Sequence, residues 1–315
     1  MKRPAAPPFS RKTIGLAAAL VFSACVPIPP ILVRKSSTAP PVAIKASSVG
    51  LLLLARGGSS GDDRALVTLK NETIRVAPAD LASGLANPDA IQGAINRLVA
   101  RNVRRILAVP LFAASQNELV MQTRFVLGLG PTLSADMINA LKQEPRYRTT
   151  LFLAQANSPI PLSWGSPVDG TPVPSAILEH RALRLSRDPA AETLVVVGRG
   201  SGIDALDAAS LAELNRLAQS LQSRLGFAGA SAASLRFDAA PSARSQASAS
   251  LRSIVARASS RGRAVVLLDS VCDDGMDRRV RSALKGLRYA FDPRPLNAAP
   301  ALRRWVLALA RRAEG

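Results

Sequence analysis

The chain carries one segment twice. Residues 49–63 read VGLLLLARGGSSGDD and residues 193–207 read TLVVVGRGSGIDALD. In each copy an unbroken apolar run ends in a turn built from arginine, glycine and serine, and acidic residues follow. The runs 49–55 and 194–198 are too short for ordinary helices. Without polar alternation they predict strands buried on both faces, as in a parallel sheet. Glycine directly after such a strand lets the backbone turn sharply and approach a ligand. Ligands of open α/β sheets bind at the carboxyl ends of the strands, which is where Arg56 and Arg199 stand. The duplication continues: residues 97–115, RLVARNVRRILAVPLFAAS, align with 253–272, SIVARASSRGRAVVLLDSVC. Both read as the end of a helix, a basic loop and a second buried strand. Repeated βα units in the same order predict an α/β fold of two similar halves, each a small parallel sheet flanked by helices, with a cleft between them.

The first twenty-five residues stand outside this pattern. A basic stretch through Lys12 precedes an apolar run at 14–22 and then Ser23, Ala24 and Cys25. That run is too short to span a bilayer and suits the hydrophobic region of a signal segment. The sequence LVFSAC resembles a bacterial lipoprotein signal. The resemblance implies lipid attachment at Cys25 and, with Val26 following it, an outer-membrane location facing the periplasm. Residues 26–48, rich in proline, serine and alanine, read as a tether. The first half is expected at 49–157, a linker at 158–174 and the second half at 175–315. Only Cys272 then remains as a thiol, so no intramolecular disulfide is expected.

Within the first half, residues 61–71 leave room for only a short helix, and 73–77 read as a strand. A helix at 87–100 buries Ile91, Ile95, Leu98 and Val99. A strand at 106–112, helices at 119–127 and 134–141, and a strand at 149–155 follow. In the second half, strands are expected at 193–198, 229–237, 263–268 and 287–291. Helices are expected at 175–186, 204–224, 241–258, 275–285 and 302–312.

The quoted segments, together with QNELVMQTRFVLG at 116–128 and SRDPAAETLVVVGRG at 186–200, resemble the CbiX-type sirohydrochlorin cobaltochelatases. These are relatives of the class II chelatases, which insert metal into tetrapyrroles. The resemblance runs nearly end to end after the tether. It implies metal-holding histidines after the first strand of each half and in the loop after the PLF-type strand. It also implies a longer helix after Asp63 than this chain has room for. Here Arg56 and Arg199 take the two strand-end positions. Gln116, Asn117 and Glu118 fill the first loop, and Cys272, Asp273, Asp274 and Asp277 fill the second. The single histidine, His180, precedes the second half and reads as a surface or packing residue. A guanidinium has no lone pair to give a metal.

The replacement residues carry their own chemistry. Arginines bind carboxylates or phosphates bidentately, so Arg56 and Arg199 are candidate grips for an anionic ligand, with Gly57, Ser59, Gln116 and Ser201 beside them. Equally, an arginine here can reach across the cleft to Glu118 or to an aspartate of the other half. Glu118 is the candidate catalytic carboxylate, or simply an acid favoured at a helix N-terminus. Asp273 and Asp274 are of metal-ligand type, or caps. The residues themselves assign no cofactor; a divalent, cobalt-type metal enters only through the resemblance.

Other chemistries are poorly supported. GRGSG at 198–202 lacks the lysine of a phosphate loop and the spacing of a dinucleotide fingerprint. A serine–histidine triad would have to recruit His180. The net charge of +19 can attract an anionic partner, but no aromatic platform or motif supports nucleic acid. The expectation is an exported lipoprotein that binds a tetrapyrrole or another anionic small molecule without catalysis. The alternative is an active lyase inserting cobalt or another divalent metal through carboxylate ligands.

Overall fold

The computed structural model describes residues 49–84, 86–143 and 154–314. The expected signal segment, Cys25 and the tether lie outside the described residues, as does most of the strand expected at 149–155. In the first half the order is β1 (Val49–Ala55), α1 (Ser60–Ile74), β2 (Ala79–Ser83), α2 (Pro88–Val99), β3 (Arg105–Leu111), α3 (Glu118–Val126), α4 (Ala135–Gln143) and β4 (Leu162–Trp164). The second half begins with α5 (Val173–Leu185), β5 (Glu192–Gly198), α6 (Asp204–Leu225), β6 (Gly229–Ser234) and α7 (Pro241–Arg261). It closes with β7 (Arg263–Asp269), α8 (Met276–Ala283), β8 (Tyr289–Asp292) and α9 (Pro300–Glu314).

The two sheets repeat one topology, β2-β1-β3-β4 and β6-β5-β7-β8, with every pairing parallel. Alternate residues of the central strands serve different cores, because successive side chains of a strand point to opposite faces. Leu51, Leu53, Leu194 and Val196 enter a core shared by both halves, with α1, α5, α6 and α9 between the sheets. Leu52 and Leu54 face outward onto α2 and α3, and Val195 and Val197 onto α7 and α8. The closing helix α9 packs on α1 and β1 of the first half as well as on α5. Among the described residues no helix is long and apolar enough to cross a membrane.

Three expectations for the first half change. The short helix expected at 61–71 is the 15-residue α1, still shorter than its 22-residue counterpart α6. Residues 73–74 end that helix and do not start a strand. Thr73 is accommodated there because its hydroxyl donates to the Leu69 carbonyl at 2.7 Å. The second strand comes later, as β2, with Ala79 opposite Leu51. The segment 158–174, expected as a linker, supplies β4 and so completes the first sheet. Proline is tolerated at this edge because Pro161 contributes its carbonyl to the Ile106 N–H at 2.8 Å and needs no donor of its own.

Candidate functional site

Both strand-end turns reverse through a glycine with positive φ, Gly57 at +70° and Gly200 at +74°. At Gly200 a β-carbon would collide with the Ser234 hydroxyl, so the second turn demands glycine twice over. The turns aim Arg56 and Arg199 at the same two acids, Asp238 after β6 and Asp274 after β7. Arg56 Nε donates to Asp274 Oδ2 at 2.7 Å and its Nη2 to Asp238 Oδ1 at 3.1 Å. Arg199 donates from Nε and Nη2 to Asp238 at 3.0 and 2.7 Å, and from Nη1 to Asp274 at 2.8 Å. Arg199 also lies over the Phe237 ring at 4.3 Å. Arg56 thus crosses the cleft to aspartates of the other half, and among the described residues two guanidinium groups and two carboxylates meet in one cluster.

Several of the remaining candidates make structural contacts, although Glu118 Oε2 is buried with no hydrogen-bond partner among the described residues. Glu118 is 2% exposed and reaches from the start of α3 into the loop before α6. Its Oε1 accepts from the Ser201 hydroxyl at 2.6 Å, from the Ile203 N–H at 3.1 Å and from the Gly202 N–H. Burial raises its pKa, opposed chiefly by the Ser201 hydrogen bond. Ser59 caps α1 in a reciprocal capping box with Asp62. Gln116 is exposed and offers its backbone carbonyl to Ser210 Oγ at 2.7 Å. Asp273 accepts from the Asp277 N–H in the first turn of α8 at 2.9 Å, and its own N–H donates to Asp62 at 3.2 Å. The Cys272 thiol is buried and pushed up to about 12, by burial and then by the nearby Asp62 and Asp274 charges, so it stays protonated. His180 is exposed on α5. Among the described residues, no three His, Cys, Asp or Glu side chains are grouped to hold a metal ion.

Beside the cluster, a cavity of about 420 Å³ lies between the halves, walled by Leu111 and Phe112 from one side and Leu214, Leu217 and Asp269 from the other. Asp269 is 7% exposed and its Oδ1 is buried with no hydrogen-bond partner. Burial, with the charge of Asp169 adding to it and that of Arg181 opposing, raises its carboxyl to about 7. Sequence reasoning passed over Asp238 and Asp269. The available signal for Asp269 was an acid closing an apolar strand, where the other copy of the repeat has Leu111.

No protein-family model matches the chain, and no curated protein matches it in sequence. Solved structures do. SirB from Bacillus subtilis with Fe3+ superposes with a TM-score of 0.54 at 12% identity, covering 85% of this chain and 96% of that one. The sirohydrochlorin chelatase SirB from Bacillus subtilis subspecies spizizenii, in complex with cobalt, gives 0.50 at 12% identity over 85% and 95%. CbiX, the terminal enzyme of siroheme biosynthesis in denitrifying bacteria, gives 0.49 at 18% identity over 84% and 98%. The chain therefore has the fold of the sirohydrochlorin chelatases, two parallel-sheet halves about a cleft.

Proposed function

We propose that the chain is an exported, lipid-anchored member of the sirohydrochlorin chelatase family that binds without inserting metal. Its ligand is an anionic tetrapyrrole, or another small anion, in the cavity between the halves. The observation carrying this reading is the Arg56–Asp238–Arg199–Asp274 cluster. It occupies the strand ends where the family resemblance expects imidazoles. Metal insertion needs lone-pair donors that capture a divalent ion and release it. Guanidinium groups supply none, and both aspartates are already engaged. The cavity of about 420 Å³ falls within the range of small-molecule pockets, about 300–1,000 Å³. A ligand carboxylate engages Arg56 and Arg199 only in competition with Asp238 and Asp274. The export half of the proposal rests on residues 14–25.

The test is the absorption spectrum of sirohydrochlorin mixed with the full chain, before and after cobalt is added. The expected result is a protein-dependent shift with no faster appearance of the metallated spectrum. An unchanged spectrum rejects binding, and accelerated metallation rejects the non-catalytic reading. One observation favours the second reading, a carboxylate-dependent lyase. Asp269, titrating at about 7 on the cavity wall, is suited to take a pyrrole proton at neutral pH. In that case Asp269→Asn abolishes the acceleration.

A further inference from the structure

Away from the cavity, on the outer side of the second sheet, the first turns of α7 and α8 lie next to one another across an open groove of about 880 Å³. Arg244 stands on the α7 side, and Arg278 and Arg279 on the α8 side. Ser245, Ser248 and Ser282 add hydroxyls. Among the described residues, the guanidinium groups of Arg244 and Arg278 have no carboxylate or hydrogen-bond partner, and neither does that of Arg279, which lies over the Phe237 ring at 4.3 Å. The one carboxylate in the groove wall, Asp274, is occupied by Arg56 and Arg199. The next acid along α8, Asp277, is paired with Arg281. Partial burial, then the like charges of Arg244 and Arg199, lowers the pKa of Arg279, with Asp238 opposing.

The contrast with the neighbouring cluster is instructive. There two guanidinium groups are each paired with two carboxylates. In the groove three arginines line one opening near the positive ends of two helices, and among the described residues none of them is paired with a carboxylate. Such a grouping is unfavourable alone and becomes favourable when a multivalent anion supplies the missing charge. Stacking on Phe237 fixes the plane of Arg279 in advance, and a fixed fork loses less freedom on binding. Serine hydroxyls beside the arginines suit an acceptor with several oxygens per charged group. With guanidinium groups already on Phe237, that ring is not available to stack a nucleobase, which separates this site from single-strand nucleic-acid grooves.

We propose that the groove between α7 and α8 binds a small polyanion bearing phosphate groups, at Arg244, Arg278 and Arg279. The site goes beyond the proposed function and does not depend on the inter-half cavity being occupied.

The test is calorimetric titration of the full chain with pyrophosphate at low and high salt, with citrate as the carboxylate control. The expected result is saturable pyrophosphate binding, weakened by salt and tighter than citrate. In the Arg244→Ser, Arg278→Ser double variant the affinity should fall by at least about 10-fold, which is about 1.4 kcal/mol, with an unchanged thermal midpoint. Neither guanidinium has a hydrogen-bond or ion-pair partner among the described residues, so the fold should tolerate the change. Absence of binding to the unaltered chain, or undiminished binding to the double variant, overturns the site. Citrate binding as tightly as pyrophosphate overturns the phosphate assignment. Vesicles of phosphatidylglycerol as competitor separate the two sources of phosphate. Capture by such vesicles that the Arg244→Ser, Arg278→Ser variant loses and that pyrophosphate does not reverse overturns the small-anion reading.

Discussion

The loops after β3 and β7 occupy the same place in the two copies of the repeat, and each braces the other half with opposite chemistry. The first loop leads to Glu118, whose carboxylate receives donors from Ser201, Gly202 and Ile203 at the start of α6. The second supplies a donor, the Asp273 N–H, to the Asp62 carboxylate that caps α1. One loop ends its strand in Leu111, buried in the shared core; the other ends it in Asp269, with an oxygen that has no partner. Duplication kept the geometry while the side chains diverged. Glu118 through Oε1 and Asp62 tie the halves together from helix starts, while Asp269 ends its strand with an oxygen that no described group engages, so a catalytic role is argued from Asp269.

Breaking the tie between the halves should have the largest effect. In Arg199→Ala the buried Asp238 and the half-buried Asp274 lose the guanidinium that gives them three nitrogens. Removing one partner of a buried ion pair costs roughly 3–5 kcal/mol, read as a lower midpoint in urea denaturation. Arg56→Ala should cost less, because Arg56 gives the two acids two nitrogens where Arg199 gives three. Equal losses would mean that the arginines contribute as equivalents, and the asymmetry between the halves would not extend to the cluster.

The strands of this architecture were legible because burial on both faces writes unbroken apolar runs, as at Leu51–Leu54 and Leu194–Val197. The full length of helix α1 was not, since it buries only Asp62, Leu66, Leu69 and Thr73 and carries no continuous apolar stripe. Strand β4 is three residues long inside a proline-rich stretch, where composition argues for a loop. The repeat located Arg56 and Arg199, but their partners are 182 and 218 residues from Arg56. No spacing rule links such pairs. Asp274 was visible as a candidate ligand and proved to be an ion-pair partner. Asp238, after the small-residue strand β6, had no motif to mark it.

The second effect sharpens the contrast between Leu111 and Asp269. The folded Asp269 carboxyl lies at about 7, against an unfolded value of about 3.9. Its favourable contribution as the protonated form is complete below about pH 4 and is lost as pH rises through about 7. Asp269→Asn keeps the shape and does not titrate. The stability of the variant relative to the unaltered chain should rise by about 1.4 kcal/mol per pH unit across that window, reaching on the order of 2–4 kcal/mol. Urea midpoints at about pH 4.5, 6 and 7.5 give the slope. A difference that stays constant with pH would mean that Asp269 is charged throughout, and the cavity would then present an anion to its ligand.

The smallest effect compares the two braces directly. Glu118→Ala removes the acceptor of three donors at once, and buried donors left unmatched cost about 1–3 kcal/mol each when nothing relaxes. The loop before α6 can open locally to water, so the expected loss is about 2 kcal/mol. Glu118→Gln keeps the Oε1 acceptor and should recover most of that loss. The matching cut in the first half is Ser59→Ala, a lost helix cap of about 1 kcal/mol. It is milder because Asp62 still accepts from the Ser59 and Asp273 N–H groups. Thermal midpoints of the three variants should therefore fall in the order Ser59→Ala and Glu118→Gln above Glu118→Ala. A Glu118→Ala protein as stable as Ser59→Ala would show that the carboxylate is no stronger a brace than a hydroxyl cap. Glu118 would then return to the pool of acids available for chemistry in the cleft.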